Sequence, residues 1–314
     1  MKVALIIPYF GKFPKWFELY LYSCSRNECV DFIFYTDCTC PAKIYTNTYF
    51  IKTDFKSYCK QVSDALGINF SPISPYKLCD LKPFYGIIHK NDLKNYDFWG
   101  FGDIDLIYGD LNIIVNESNL SDYDFITTHG GRVAGHFTIM RYDSKYTEMC
   151  KSIPDWRRCL EDRDKNYVLD EVAFAYVAYP QLKTICRIYH YIIRTLHLAS
   201  EGIFYNWANS LFCNRRTRRL FWEYYTTPCP KPEEEWTYDI INNRLFKSGK
   251  NEKVMKLPYL HFLLFKKNIY FDSDNYWRGD YYTVEQEFID DNTCANKTVV
   301  ISINGIKPVK NTDL

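Results

Sequence analysis

An unbroken apolar run, "KVALIIPYF", opens the chain and gives way to "WFELYLYSCSRN", where apolar residues return at helical spacing. The first pattern is that of a strand buried on both faces, the second that of a helix laid against a sheet. The alternation continues: "VDFIFYTD" predicts a second strand, "TYFIKTD" a shorter third, and "FKSYCKQVSDAL" an amphipathic helix. "SPYKLCDLKPFYGIIHK" reads as a loop entering a helix, and "YDFWGFGDIDLIYG" as a strand that runs out into an acidic pair. Strands alternating with helices predict an α/β fold with a mostly parallel sheet and crossover helices.

Beyond this the pattern is less regular. "YDFITTH" and "HFTIMRY" predict two further strands around the loop "GGRVAG", and "SKYTEMCKSI" a helix. From about Thr184 to Tyr225 the chain is rich in Arg and aromatic residues, and "TTPCPKPEEEW" then reads as a loop. With no fixed-period repeat and no low-complexity linker, one domain is expected, regular over residues 1–145 and carrying a helical elaboration over 146–314.

Composition narrows the classes. With 314 residues and 47% hydrophobic content the chain can bury a substantial core, and a net charge of +1 gives no global field for nucleic acid. Aromatic content of 18%, with 28 Tyr, fits surfaces that stack rings or sugars. Twelve cysteines include no C-x-x-C pair, so they read as buried thiols of a reducing, cytoplasmic protein. The opening apolar run reads as a strand and not as a signal peptide, and "LPYLHFLLF" falls short of the ~18 to 20 residues of a membrane span.

The acidic pair, Asp103 and Asp105 flanking Ile104, sits where a buried run gives out, the end at which open α/β sheets bind ligands. Residues two apart point to the same side of an extended chain, so both carboxylates could approach one hard cation, Mn²⁺ or Mg²⁺. A solvated strand end carries the same pair without any ion.

The segments "KPFYG", "YDFWGFGDIDLIYGDL" and "GHFTIMR" together resemble bacterial surface-polysaccharide glycosyltransferases with a GT-A nucleotide-sugar fold. The resemblance implies a nucleotide-sugar-binding half over 1–145 and an acceptor side over 146–314. It implies an enzyme whose D-x-D carboxylates hold a divalent cation against a donor diphosphate, a UDP-sugar, and which passes the sugar to a hydroxyl of a capsule or lipopolysaccharide saccharide, free or lipid-linked. It further implies a late histidine, His261, as third metal ligand and Lys266 beside the diphosphate. Cytoplasmic residence is expected from the cysteines, with peripheral contact at the inner face of the membrane as one reading of the Arg-rich stretch below.

Each remaining residue has a plainer reading beside the functional one. Tyr9 and Phe10 in "IPYFG" could stack on the nucleotide base or simply end a strand. Asp37 closes "FYTD" and suits a ribose hydroxyl or a helix cap. Lys77, Asp80 and Lys82 could meet phosphate and sugar, or form surface ion pairs worth ~0 to 1 kcal/mol. Arg132 and His136 edge the glycine loop, as ligand contacts or structural residues. Asp170 and Glu171 in "VLDEVAF" suit a first-turn cap or a base for the acceptor hydroxyl, Asp170 ahead of Glu171. His261 reads as a core histidine or a ligand. The Arg-rich "NRRTRRLFWEYY" suits a solvated helix face or an anionic bilayer and lipid-diphosphate acceptor. Two other functions remain open. A metal-dependent nucleotidyl- or phosphotransferase would favour a G-x-x-x-x-G-K-[ST] loop, which is absent, and a carbohydrate-binding protein would not need both aspartates.

Overall fold

The structure, a computed structural model, describes residues 1–129, 132–142, 145–179, 217–219, 223–231, 233–248, 255–265 and 297–310. Among these, the strands are β1 Val3–Pro8, β2 Asp31–Thr36, β3 Thr48–Lys52, β4 Phe98–Gly102, β5 Leu106–Tyr108, β6 Phe125–Thr127 and β7 Phe137–Arg141. They continue with β8 Thr217–Arg219, β9 Glu235–Asp239, β10 Arg244–Ser248, β11 Lys256–Leu257, β12 Tyr259–His261, β13 Lys297–Ser302 and β14 Gly305–Lys310. Seven of them share one sheet in the order β3-β2-β1-β4-β7-β6-β8. Pairs β2/β3, β1/β4 and β6/β8 are parallel, while β7 runs antiparallel to both β4 and β6. The α/β, mostly parallel expectation therefore holds.

The chain divides into two compact units, one of Met1–Ile6, Asp54–Gly102 and Glu117–Trp222, the other of Ile7–Thr53, Asp103–Asn116 and Glu223–Leu314. In the first unit, every residue of β4 is buried, as the continuous "FWGFG" run requires. Gly100 is dictated by the closeness of β7: a β-carbon there would lie 2.2 Å from the Thr138 carbonyl oxygen. Helix α2, Phe55–Leu66 (α1 is Phe17–Ser25 of the other unit), shows how local chemistry sets boundaries. Asp54 accepts the Ser57 N–H as N-cap, Gly67 ends the helix in the left-handed conformation, and Tyr58, Cys59, Val62 and Leu66 form the buried face.

Beneath α2, His89 is fully buried with Nε2 2.9 Å from the Tyr58 hydroxyl. Burial pushes its pKa from 6.5 to about 3, outweighing the carboxylate of Asp92 at 4.0 Å. In the unfolded chain the imidazole takes up a proton as pH falls through 6.5, and the folded chain does not follow until about 3. Its contribution is complete above that upper value and is lost on acidification, at about 1.4 kcal/mol per unit of displacement. Urea midpoints are expected to fall between pH 7 and pH 5 more steeply in the wild type than in His89→Gln. Parallel slopes would assign the acid sensitivity elsewhere.

The second unit corrects one expectation. From Glu235 onward, where a helical elaboration is expected, most of its described residues build an antiparallel sheet, β11-β10-β9-β13-β14. "EWTYD" and "KTVVIS" are rich in aromatic and β-branched residues that suit a pleated surface, and Trp236, Tyr238, Val299 and Ile301 are buried there. The same unit holds a separate two-stranded ribbon, β5 with β12. The cysteines among the described residues are free thiols, and no described helix is long and apolar enough to cross a membrane.

Candidate metal centre

Strand β4 stops at Gly102, and the chain bends through Asp103, Ile104 and Asp105 before resuming as β5. The two carboxylates therefore stand on a bend, not on the extended strand end that the alternation predicts. The bend matters because β5 pairs antiparallel with β12, in a register that sets His261 opposite Leu106, the neighbour of Asp105. That pairing delivers an imidazole from far along the chain. Asp103, Asp105 and His261 each offer a ligand atom, all within 4.8 Å of one another. His261 Nε2 lies 3.5 Å from Asp105 Oδ1, and both residues are buried.

Two carboxylate oxygens and one imidazole nitrogen form a donor set suited to Mn²⁺, with Mg²⁺ less favoured by the nitrogen. A six-coordinate ion with ligands at about 2.1 Å spaces adjacent ones about 3 Å apart and opposite ones about 4.2 Å, so small side-chain movements suffice. On the far side of the ring, His261 Nδ1 lies 3.3 Å from the Thr227 hydroxyl. When that hydroxyl accepts from Nδ1–H, Nε2 keeps the lone pair that faces Asp105. The residues fit a divalent cation.

The same unit holds several other residues of interest. Tyr9 donates its hydroxyl to the Lys12 carbonyl at 3.2 Å. Burial, with the nearby Cys38 and Asp105 adding to it, pushes that hydroxyl's pKa well up, so Tyr9 stays a neutral donor. Phe10 is a core residue, and the stacking proposed for it would fall to Tyr9. Asp37 caps no helix; Oδ1 accepts the Gly11 N–H at 2.7 Å and fixes the glycine at φ 104°. Two residues that the sequence reading missed hold the acidic bend itself. Trp16 donates its indole N–H to the Ile104 carbonyl at 2.9 Å, and Phe262 donates its backbone N–H to the Asp105 carbonyl at 3.1 Å. Nothing in their spacing signals this, because both contacts are made to backbone.

The first unit contains a second group of charged side chains. Lys82 donates to the Gly135 carbonyl at 3.0 Å and lies 3.5 Å from Asp170 Oδ2, all buried. Arg132 pairs with Glu171, whose carbonyl accepts the Val133 N–H. A β-carbon on Gly135 would lie 2.7 Å from Asp170 Oδ2 and 3.0 Å from Glu171 Oε1, so the loop before β7 approaches both carboxylates closely only because this position is glycine. His136 is buried in the turn that follows.

Asp170 and Glu171 stand in the first turn of a helical segment, as the sequence suggests, but neither is its N-cap, which is Val168. They lie inside a π-turn, Leu169–Ala173, entered through Val168 in the left-handed region at φ 54° and ψ 43°. Lys77 and Asp80 explain how that conformation is held. They form no surface pair but a buried one at 2.9 Å, 2% and 0% exposed. Lys77 also donates to the carbonyls of Cys159 and Lys165, while Asp80 accepts the N–H groups of Tyr167 and Leu169 on either side of Val168. Direct contact of Lys77 and Asp80 with phosphate or sugar, as read from the sequence, gives way to support of the loop that presents Asp170.

The family described as "Family of unknown function (DUF6625)" matches residues 5–292. The chain belongs to this family. No curated protein matches it. Among solved structures it is similar to the galactosyltransferase LgtC in complex with donor and acceptor sugar analogs, with 11% identity and a TM-score of 0.29 over 57% of this chain and 70% of that one. The DUF6625 match spans Asp103, Asp105 and His261 as well as the Lys82, Asp170 and Glu171 group. Lys266 lies outside the described residues, as do the first two glycines of the "GGRVAG" loop and most of the Arg-rich stretch.

Proposed function

We propose that this member of DUF6625 is a metal-dependent glycosyltransferase that moves a sugar from a nucleotide diphosphate sugar, a UDP-sugar, to a hydroxyl of a bacterial surface saccharide. The observation that carries the reading is the meeting of Asp103 and Asp105 with the distant His261, three potential ligands within 4.8 Å. The likeness of the "KPFYG", "GDID" and "GHFTIMR" segments to GT-A enzymes adds to it. Bound there, Mn²⁺ or Mg²⁺ would neutralise charge on the leaving diphosphate.

The chain's own residues take the remaining roles. Tyr9 would face the base, and Asp37, already fastened to Gly11, would accept a ribose hydroxyl from a fixed position. Asp170, steadied by Lys82, and Glu171, steadied by Arg132, would orient the acceptor hydroxyl, with Asp170 accepting its proton if the reaction inverts. Lys266 would share the diphosphate charge. The acceptor would be a saccharide or a lipid-linked saccharide met at the inner face of the membrane. The setting proposed is the reducing cytoplasm, as the cysteine pattern of the sequence suggests.

A thermal-shift panel of nucleotide sugars with and without Mn²⁺ tests the reading. A UDP-sugar is expected to stabilise the protein only with the cation, by about 2.7 kcal/mol at a hundredfold excess over its dissociation constant. UDP release should then accelerate on adding a saccharide acceptor. No stabilisation by any nucleotide sugar would overturn the proposal.

A further inference from the structure

Trp16 caps the start of α1, where it is 2% exposed, and two of its contacts join the parts of the candidate cation site. Its indole N–H reaches the carbonyl of Ile104, the residue between the two carboxylates. Its ring meets Phe262 edge-on, with centroids 5.4 Å apart and planes at 87°. Phe262 in turn follows His261 and donates its N–H to the Asp105 carbonyl. One rigid side chain therefore grips the bend carrying two ligands and packs on the neighbour of the third.

We infer that Trp16 is a positioning residue for cation binding, a role that rests on the cation site proposed above. The carbonyl of Ile104 belongs to the peptide unit entering Asp105, so its direction sets how the Asp105 side chain leaves the bend. A buried carbonyl that loses its donor turns toward another partner, and the carboxylate turns with it. The Trp16 backbone is tied into α1 through its carbonyl, which accepts the Tyr20 N–H at 3.0 Å, so the indole is held from behind. Residues that orient metal ligands typically govern affinity by 10- to 100-fold.

The test compares Trp16→Phe with Trp99→Phe, by titrating the full-length protein with Mn²⁺ and following the free-ion EPR signal. Trp99 is a matched control: another buried indole, it donates to the Thr147 hydroxyl at 3.2 Å in the other unit. Both variants are expected to melt lower than the wild type, but only Trp16→Phe should weaken Mn²⁺ binding, by about tenfold. Phe262→Leu keeps the backbone N–H and loses the ring; it should weaken binding by a smaller factor, and it serves if Trp16→Phe does not fold. Unchanged affinity in the foldable variants, or equal weakening in Trp99→Phe, overturns the role of Trp16 while leaving the cation site standing. A wild type that binds no Mn²⁺ overturns both.

Discussion

Asp105→Asn is expected to weaken Mn²⁺ binding by about 100-fold, roughly 2.7 kcal/mol, and to erase cation-dependent stabilisation by a UDP-sugar. The substitution keeps the shape of a residue that is only 8% exposed, so packing around the bend survives. It removes the negative charge that a hard cation requires and the partner that lies 3.5 Å from His261. The unliganded protein should melt no lower than the wild type, because two carboxylates in one site repel when no cation lies between them. Loss of binding without loss of stability is the signature of a ligand; a structural ion pair with His261 predicts the reverse. Calorimetric titration with Mn²⁺, beside melting curves in EDTA, separates the two. An Asp105→Asn protein that binds Mn²⁺ like the wild type would end the metal assignment.

Asp80→Ala is expected to cost the most stability, about 3 to 5 kcal/mol, because it strands the Lys77 ammonium with its charge uncompensated in the interior. It also frees the N–H groups of Tyr167 and Leu169, which hold Val168 in a conformation that disfavours a β-branched residue by about 1 to 2 kcal/mol. Both effects act on the turn before Asp170. The double substitution Lys77→Met with Asp80→Leu should recover part of the loss, since replacing both charges by apolar groups leaves no stranded ion. Urea unfolding of the two single variants and the double variant measures the coupling. Additive losses would mean that the pair, though in contact, is energetically idle.

How much of this was readable in the sequence depends on whether a feature is local. Strand β1 and helix α2 were, because a continuous apolar run and an amphipathic repeat act within a dozen residues. The acidic pair stood out as well, but its geometry did not: an alternating pattern carries straight through Gly102, and only the β5–β12 pairing shows that the chain bends there. The three-residue spacing of Lys77 and Asp80 announced their contact without announcing burial. Burial depends on a 3₁₀ segment, Pro75–Phe84, that turns both side chains inward. The first-turn position of Asp170 was legible, but the π-turn that carries it was not, because sequence rules place valine in strands and helices. Nothing local indicates that Val168 adopts positive φ when a distant carboxylate grips its flanks. The late sheet hid among turn residues and charges, its strands only five or six residues long where they are regular.

The β5–β12 ribbon also sets an order of events. Asp105 leaves the ribosome first, and His261 with its strand follows 156 residues later. Until then the acidic bend exists without its imidazole, so the candidate site can only be finished after the whole intervening stretch has been made. A cation captured there would act as a late clasp, closing a long loop already paid for in entropy by folding, and not as a seed around which folding begins.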